Sequence, residues 1–174
     1  ATGYYQFTVD FDPGVSVYNK TATGGQDVFV IKLNSSGNLI WANSIGGSMS
    51  DYGTSLSLDA SGAIYTTGQY GGTMDFDPGA GIFSMTAVGG SDVYITKTDP
   101  SGNFIWAKSM GGTLSEWANA IETDNSGNVV FTGYFGGTAD FDPSPSVFNI
   151  VSVAATTDIF LAKLDANGNF LWAK

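Results

Sequence analysis

The sequence predicts an all-β chain of β-propeller blades: four-stranded antiparallel sheets, each with an extra hairpin, in a repeat of about 65 residues. Three observations carry this. "DFDPG" at Asp10 returns as "DFDPG" at Asp75 and "DFDPS" at Asp140, at intervals of 65 residues. Short runs rich in Val, Ile, Phe, Tyr and Thr alternate with clusters of Gly, Asn, Asp, Ser and Pro, the pattern of strands joined by tight turns. No segment makes a convincing amphipathic helix; "SEWANAIETD" comes nearest, and its alignment with "DYGTSLSLD" reads it as strand.

The elements follow from the repeat that holds all of them. Strand A is expected over Gly53–Leu58, a turn at Asp59–Gly62 and strand B over Ile64–Gln69. A hairpin over Thr73–Thr86 carries the acidic turn at its tip. Strand C (Asp92–Lys97) and strand D (Phe104–Ser109) follow, joined by a turn at Asp99–Asn103. "DVFVIKL" from Asp27, "DVYITKT" from Asp92 and "DIFLAKL" from Asp158 are the three copies of strand C, so the third repeat holds one inserted residue between Asp142 and Asp158. In the first copy Val28 and Val30 oppose Phe29, Ile31 and Leu33, apolar on both faces, which requires a sheet on either side. A β-solenoid is the rival architecture, but its rungs are shorter than this repeat. Residues 1–47 form a partial blade, and 48–112 and 113–174 two full ones. The chain begins at Ala1 without a methionine, which suggests an excerpt or a processed product.

Composition narrows the chemistry. Sixteen acids face six lysines, for a formal charge of −10, with no arginine or histidine. Nucleic acid and anionic membranes both need a basic surface. The absence of cysteine removes disulfides, thiol catalysis and zinc–thiolate sites. Without histidine or cysteine no nucleophile–base arrangement can be built, and acids that recur in every repeat make poor catalytic candidates because an active site breaks symmetry. No catalytic residue is expected.

"DVFVIKLNSSGNLIWANSIGG", followed by "DYGTSLSLDASGAIYTTG", resembles the bacterial secreted β-propeller repeat family (the SBBP type) over essentially the whole chain. The resemblance implies a blade array in large exported, surface-associated bacterial proteins that usually lack an assigned enzymatic activity. "DPSGNFIW" at Asp99 and "DANGNFLW" at Asp165 look like the tryptophan-docking motif of quinoprotein propellers, and "NSSGNLIW" at Asn34 fits with Asn in place of Asp. This second resemblance implies that Trp41, Trp106 and Trp172 stack over the neighbouring blade's turn.

Three constellations remain. The pairs Asp10/Asp12, Asp75/Asp77 and Asp140/Asp142 could hold calcium if another loop contributed ligands, or could cap a turn while the phenylalanine between them docks inward; Pro-Gly suggests a type II turn. Trp117 replaces Tyr52 at the start of strand A, where ligand contact at the mouth of a propeller channel is conceivable. Lys32, Lys97 and Lys163 sit on strand C and need a carboxylate partner, expected on the next blade. The combined expectation is a non-enzymatic structural, adhesive or partner-binding propeller segment of an extracellular or cell-surface protein. Its partners would be neighbouring blades or other copies, a glycan or a surface protein. A calcium-dependent binding module, and an excerpt of a glycan-active or quinone-dependent propeller enzyme, stay open as alternatives.

Overall fold

The computed structural model describes residues 1–153 and 156–174. Among these the chain forms strands and no helix. The first repeat contributes β1 (Thr2–Tyr5), the hairpin β2 (Thr8–Asp10) and β3 (Asn19–Thr21), then β4 (Asp27–Leu33) and β5 (Leu39–Gly47). The second contributes β6 (Tyr52–Leu58), β7 (Ile64–Tyr70), the hairpin β8 (Thr73–Asp75) and β9 (Ser84–Thr86), β10 (Asp92–Thr98) and β11 (Phe104–Gly112). The third contributes β12 (Trp117–Thr123), β13 (Val129–Gly136), the hairpin β14 (Thr138–Asp140) and β15 (Asn149–Val151), β16 (Thr157–Leu164) and β17 (Phe170–Ala173).

The second and third repeats make antiparallel sheets in the order A-B-C-D, β6-β7-β10-β11 and β12-β13-β16-β17, and the first makes the B-C-D part of one, β1-β4-β5. The fold is therefore an all-β, propeller-like stack of blades, as the sequence predicts. Every C–D and A–B turn has one design. In Asp99–Asn103 the Asp99 side chain accepts the Ser101 and Asn103 N–H groups at 2.8 and 2.9 Å, while Gly102 takes the left-handed φ of 85° that a side chain would resist.

The hairpins sit where the repeat pattern does not place them. The second and third belong to their own repeats by sequence but join the preceding blade by hydrogen bonding, while among the described residues β2 and β3 pair only with each other. β8 pairs with β5 through Gly46↔Asp75 and Gly47↔Met74, and β14 with β11 through Gly111↔Asp140 and Gly112↔Ala139. Strand D runs three residues beyond its expected end to reach this contact. Gly47 and Gly112 are needed there, because a β-carbon on either would collide with the carbonyl of Thr73 or Thr138. The hairpin is thus a strap across each blade junction.

Its phenylalanine anchors the strap. Phe76 is fully buried against Tyr70 and Tyr94, with ring centroids 5.1 and 5.4 Å away, and Phe141 repeats this against Phe135 and Phe160. In the first repeat Phe11 packs on Tyr5 and Phe29 but stays half-buried. The expected type II turn is corrected: Gly14 and Gly79 have no positive φ. Instead the Asp12 side chain accepts the Gly14 N–H at 2.7 Å, and Asp142 accepts that of Ser144 at 2.9 Å, a geometry open to serine as well as glycine.

The tryptophans, on strand D, close the same junctions at the turns of the following repeat. Trp41 covers Gly102 of the following repeat and its Nε1–H points to Pro100 O at 3.4 Å; Trp106 covers Gly168 and points to Ala166 O at 3.4 Å. Asn43 donates to Gly102 O at 2.7 Å beside the first. The lysine expectation needs correction on one point. Lys97 and Lys163 meet Asp59 and Asp124, at 3.6 and 3.0 Å, in the A–B turns of their own repeats rather than on the next blade. Strand C lies beside strand B, so the turn opening strand B is nearer than any turn of a neighbour. The following blade supplies a carbonyl instead: Lys32 donates to Pro100 O and Lys97 to Ala166 O.

Because Phe76 is fully enclosed and Phe11 is not, one substitution should give unequal losses in equivalent positions. Phe76→Ala is expected to cost about 3–5 kcal/mol, and Phe11→Ala markedly less. Urea unfolding of both variants measures the difference; equal losses would mean that the straps do not bury Phe76 as described.

Candidate functional site

Tyr52 and Trp117 are the first residues of β6 and β12, the strands A of two successive blades. Both strands carry a register shift immediately afterwards, at Gly53/Ser55 and Ala118/Ala120, so the leading residue turns independently of the strand behind it. Thr54 Oγ1 donates to Ala118 O at 2.7 Å and fixes the two strands side by side. The result is a row of aromatic rings across both junctions. Tyr4 meets Tyr52 edge-on at 4.9 Å, Tyr52 stacks on Trp117 at 6.1 Å, and Trp117 stacks on Tyr134 at 5.8 Å.

Trp117 is half-buried and forms the wall between two clefts. One, of about 490 Å³, is lined by Ser50, Tyr52, Gln69, Gly71 and Ser91. The other, of about 400 Å³, is lined by Leu114, Ser115, Tyr134, Gly136 and Thr157. Gln69 is buried, and its Oε1 finds no hydrogen-bond partner among the described residues. Aromatic faces beside a few polar groups suit a ligand with both apolar and hydrogen-bonding surface. A third, apolar cleft of about 370 Å³ lies between Val30, Trp41, Leu56 and Ile64. Between the second and third blades Tyr65 packs on Trp106 at 5.9 Å, so that space belongs to blade packing rather than to ligand chemistry.

The hairpin acids have internal tasks. Asp10 Oδ1 accepts the N–H groups of Asp12 and Tyr18 at 3.0 and 2.8 Å, which holds its carboxyl below the usual range. Asp75 and Asp140 repeat these bonds, and Asp12, Asp77 and Asp142 cap the next turn. Among the described residues no three His, Cys, Asp or Glu side chains gather as a metal site would require. Trp172, on β17, sits in the register of Trp41 and Trp106 and pairs with Lys163 across the strands.

A second acidic set, at the blade junctions, is one that sequence reasoning missed. Asp27 and Asp92 open strand C; Asp51 and Glu116 stand just before strand A of the following blade. All four are buried. Asp51 accepts the Gly47 and Gly71 N–H groups at 2.7 and 3.1 Å, and Glu116 that of Gly112 at 2.9 Å. A β-carbon at Gly111 would lie 2.6 Å from Asp92 Oδ1 and 2.7 Å from Glu116 Oε2, so that junction brings two carboxyl groups together. Among the described residues Asp27 Oδ1, Asp92 Oδ1 and Glu116 Oε1 find no hydrogen-bond partner. Burial pushes Asp51 up to about 6 and Glu116 up to about 7, with the neighbouring Asp27 and Asp92 charges adding to the rise. The available signal was the recurrence of an acid at 51 and 116 behind a Gly-Gly pair.

No known family profile matches the chain. It is similar to a WD repeat-containing protein of Acanthamoeba polyphaga mimivirus, uncharacterized, with 30% identity over 84% of this chain. It is also similar to the regulatory protein FlaEY of Caulobacter vibrioides, with 26% identity over 91% of this chain. The chain spans 12% and 17% of the length of these two relatives. WD repeats are propeller blades, so the first similarity agrees with the repeat architecture. The finer resemblance to secreted bacterial repeats gains no support from these comparisons.

The junction acids generate a pH prediction. A carboxyl that holds its proton more tightly folded than unfolded stabilises the fold at low pH. For Glu116 this stability is complete below its ordinary value of 4.5, falls as pH rises towards about 7, and stays lost above that. The loss is roughly 3 kcal/mol by the size of the shift. Glu116→Gln is expected to flatten the slope of unfolding free energy between pH 4.5 and 7, measured by denaturant titration. An unchanged slope would show that Glu116 ionises normally.

Proposed function

We propose that this chain is a non-enzymatic propeller segment of an exported bacterial protein, extracellular or on the cell surface, that binds a protein or glycan partner at its aromatic rim. The observation carrying the reading is the row Tyr4–Tyr52–Trp117–Tyr134, with Trp117 standing between two open clefts. Large aromatic side chains give contact area at low entropic cost, which is why they concentrate at binding surfaces. The WD-repeat similarity supports an interaction role in general. The regulatory role printed for the Caulobacter relative fits a protein that works by contact. The non-enzymatic part of the proposal is supported by the lack of histidine and cysteine and by the turn-capping and loop-pegging duties of the acids described above. Export rests on the resemblance to secreted repeats and is tested by fractionating the source cells.

Trp117→Ala should preserve the fold, because the ring is half-buried and bridges no blade core. Glycan and peptide arrays probed with the wild-type protein are expected to give a common ligand set, and Trp117→Ala to weaken it at least about tenfold. Binding that is indifferent to the substitution would move the site away from the rim.

A further inference from the structure

The repeat fails at one position of the aromatic row. On strand B, Tyr4 pairs with Val28, Gln69 with Val93 and Tyr134 with Ile159, so the three residues hold the same register. Two repeats place tyrosine there, and the second places glutamine. Across the A–B pairing Trp117 faces Tyr134 and stacks on it, with ring planes 14° apart. Tyr52 faces Gln69, which has no ring to offer. Gln69 instead lines the cleft of about 490 Å³ that Tyr52 and Trp117 flank. The side chain is enclosed, since the residue is 2% exposed, and its Oε1 finds no hydrogen-bond partner among the described residues. A buried amide oxygen without a partner costs stability, so packing does not account for this departure.

Resting on the rim reading above, we propose that this cleft takes one neutral sugar ring of a glycan and that Gln69 selects for it. A pyranose has an apolar face of C–H groups and an edge of hydroxyls, each both donor and acceptor. The cleft carries the complement of both. Tyr52 and Trp117, with planes 27° apart, supply ring surface for the C–H side. The Gln69 amide supplies an acceptor and two donors on adjacent atoms, which neighbouring hydroxyls can bridge. Ser50 and Ser91, half-buried in the same walls, add two hydroxyls. Charge separates this ligand from its rivals. Among the described residues no charged side chain lines the cleft, so nothing there pairs with a charged peptide side chain. The formal charge of −10 disfavours an acidic sugar. The walls are also set in advance, which lowers the ordering cost of binding. Asp51 Oδ1 holds the Gly71 N–H at 3.1 Å, and the Glu116 N–H holds Ser91 O at 2.9 Å.

Arrays of neutral oligosaccharides, acidic oligosaccharides and peptides test the proposal, followed by calorimetric titration of the neutral oligosaccharide bound most strongly. The wild-type protein is expected to prefer neutral glycans, with the same affinity at low and high salt. Gln69→Met keeps the length of the side chain and removes its hydrogen bonds. It should weaken that glycan at least about tenfold. It should also melt no lower than the wild type, because no unpartnered oxygen stays buried. Gln69→Tyr installs the residue of the other two repeats and should abolish binding by filling the cleft, with the fold intact by circular dichroism. Weakened binding in Trp117→Ala with no change in either Gln69 variant would keep the rim and overturn the sugar subsite. A preference for peptides or acidic glycans, or an affinity that falls with salt, would overturn the neutral sugar while leaving the rim. A lower melting point for Gln69→Met would show that the amide already has an internal partner, and would overturn its selecting role. Binding indifferent to all three substitutions overturns rim and subsite together.

Discussion

Strand C decides the architecture, because it is apolar on both of its faces. Val93 and Ile95 on one side and Tyr94 on the other are all fully buried, and no two-layer arrangement could bury both sets. Each blade must be sandwiched. The other junction devices follow from that constraint: the tryptophan laid on the next repeat's glycine, the hairpin strapped onto the previous repeat's strand D, and the lysine that reaches a carbonyl across the gap. Each is cheap to repeat and costly to build once, since each needs a partner of the same kind beside it.

The blades were legible because turns and strands are local. An Asp or Asn followed by Gly at fixed spacing sets a turn whatever surrounds it, and all five such turns form with the same bonds. The hairpin's real location was not legible. Its pairing partner lies in the preceding repeat, joined by two residue pairs at glycines that carry no side-chain pattern to read. Proline followed by glycine suggested a type II turn for a similar reason. The deciding group is the Asp12 carboxylate, which takes the Gly14 N–H and makes a positive φ unnecessary. The rim was half legible: the Tyr52-to-Trp117 replacement marked the place, but Gln69 and the stack onto Tyr134 depend on cross-strand neighbours.

The acids divide by what surrounds them rather than by their motif. In the first hairpin the exposed Asp10 carboxylate collects the backbone N–H groups of Tyr18 and Asp12, so it falls below its ordinary range. At the junctions, carboxyls collect similar bonds but lose water and face a second acid, and the balance reverses. The same chemical group thus acts as a solvated turn cap in one place and as a proton-holding peg in another. The A–B turn acids form a third class: Asp124 lies below its ordinary range because Asn128 and Lys163 both donate to it.

Departures from the repeat are where a function can be placed, since a position that obeys it is accounted for by packing. The third blade departs twice in succession, with Glu116 for Asp51 and Trp117 for Tyr52. The two changes are physically connected. Asp51 ties down both the Gly47 and the Gly71 N–H groups, whereas Glu116 takes that of Gly112, and the following loop is closed by Ser152 Oγ accepting the Gly137 N–H. The loop beside Trp117 is therefore anchored from the hairpin rather than from the acid, and the cleft between Leu114, Tyr134 and Gly136 opens on that side. A larger ring next to a loop held differently breaks the symmetry of the rim at one point. That is what a selective contact requires, and a perfectly repeated blade could not supply it.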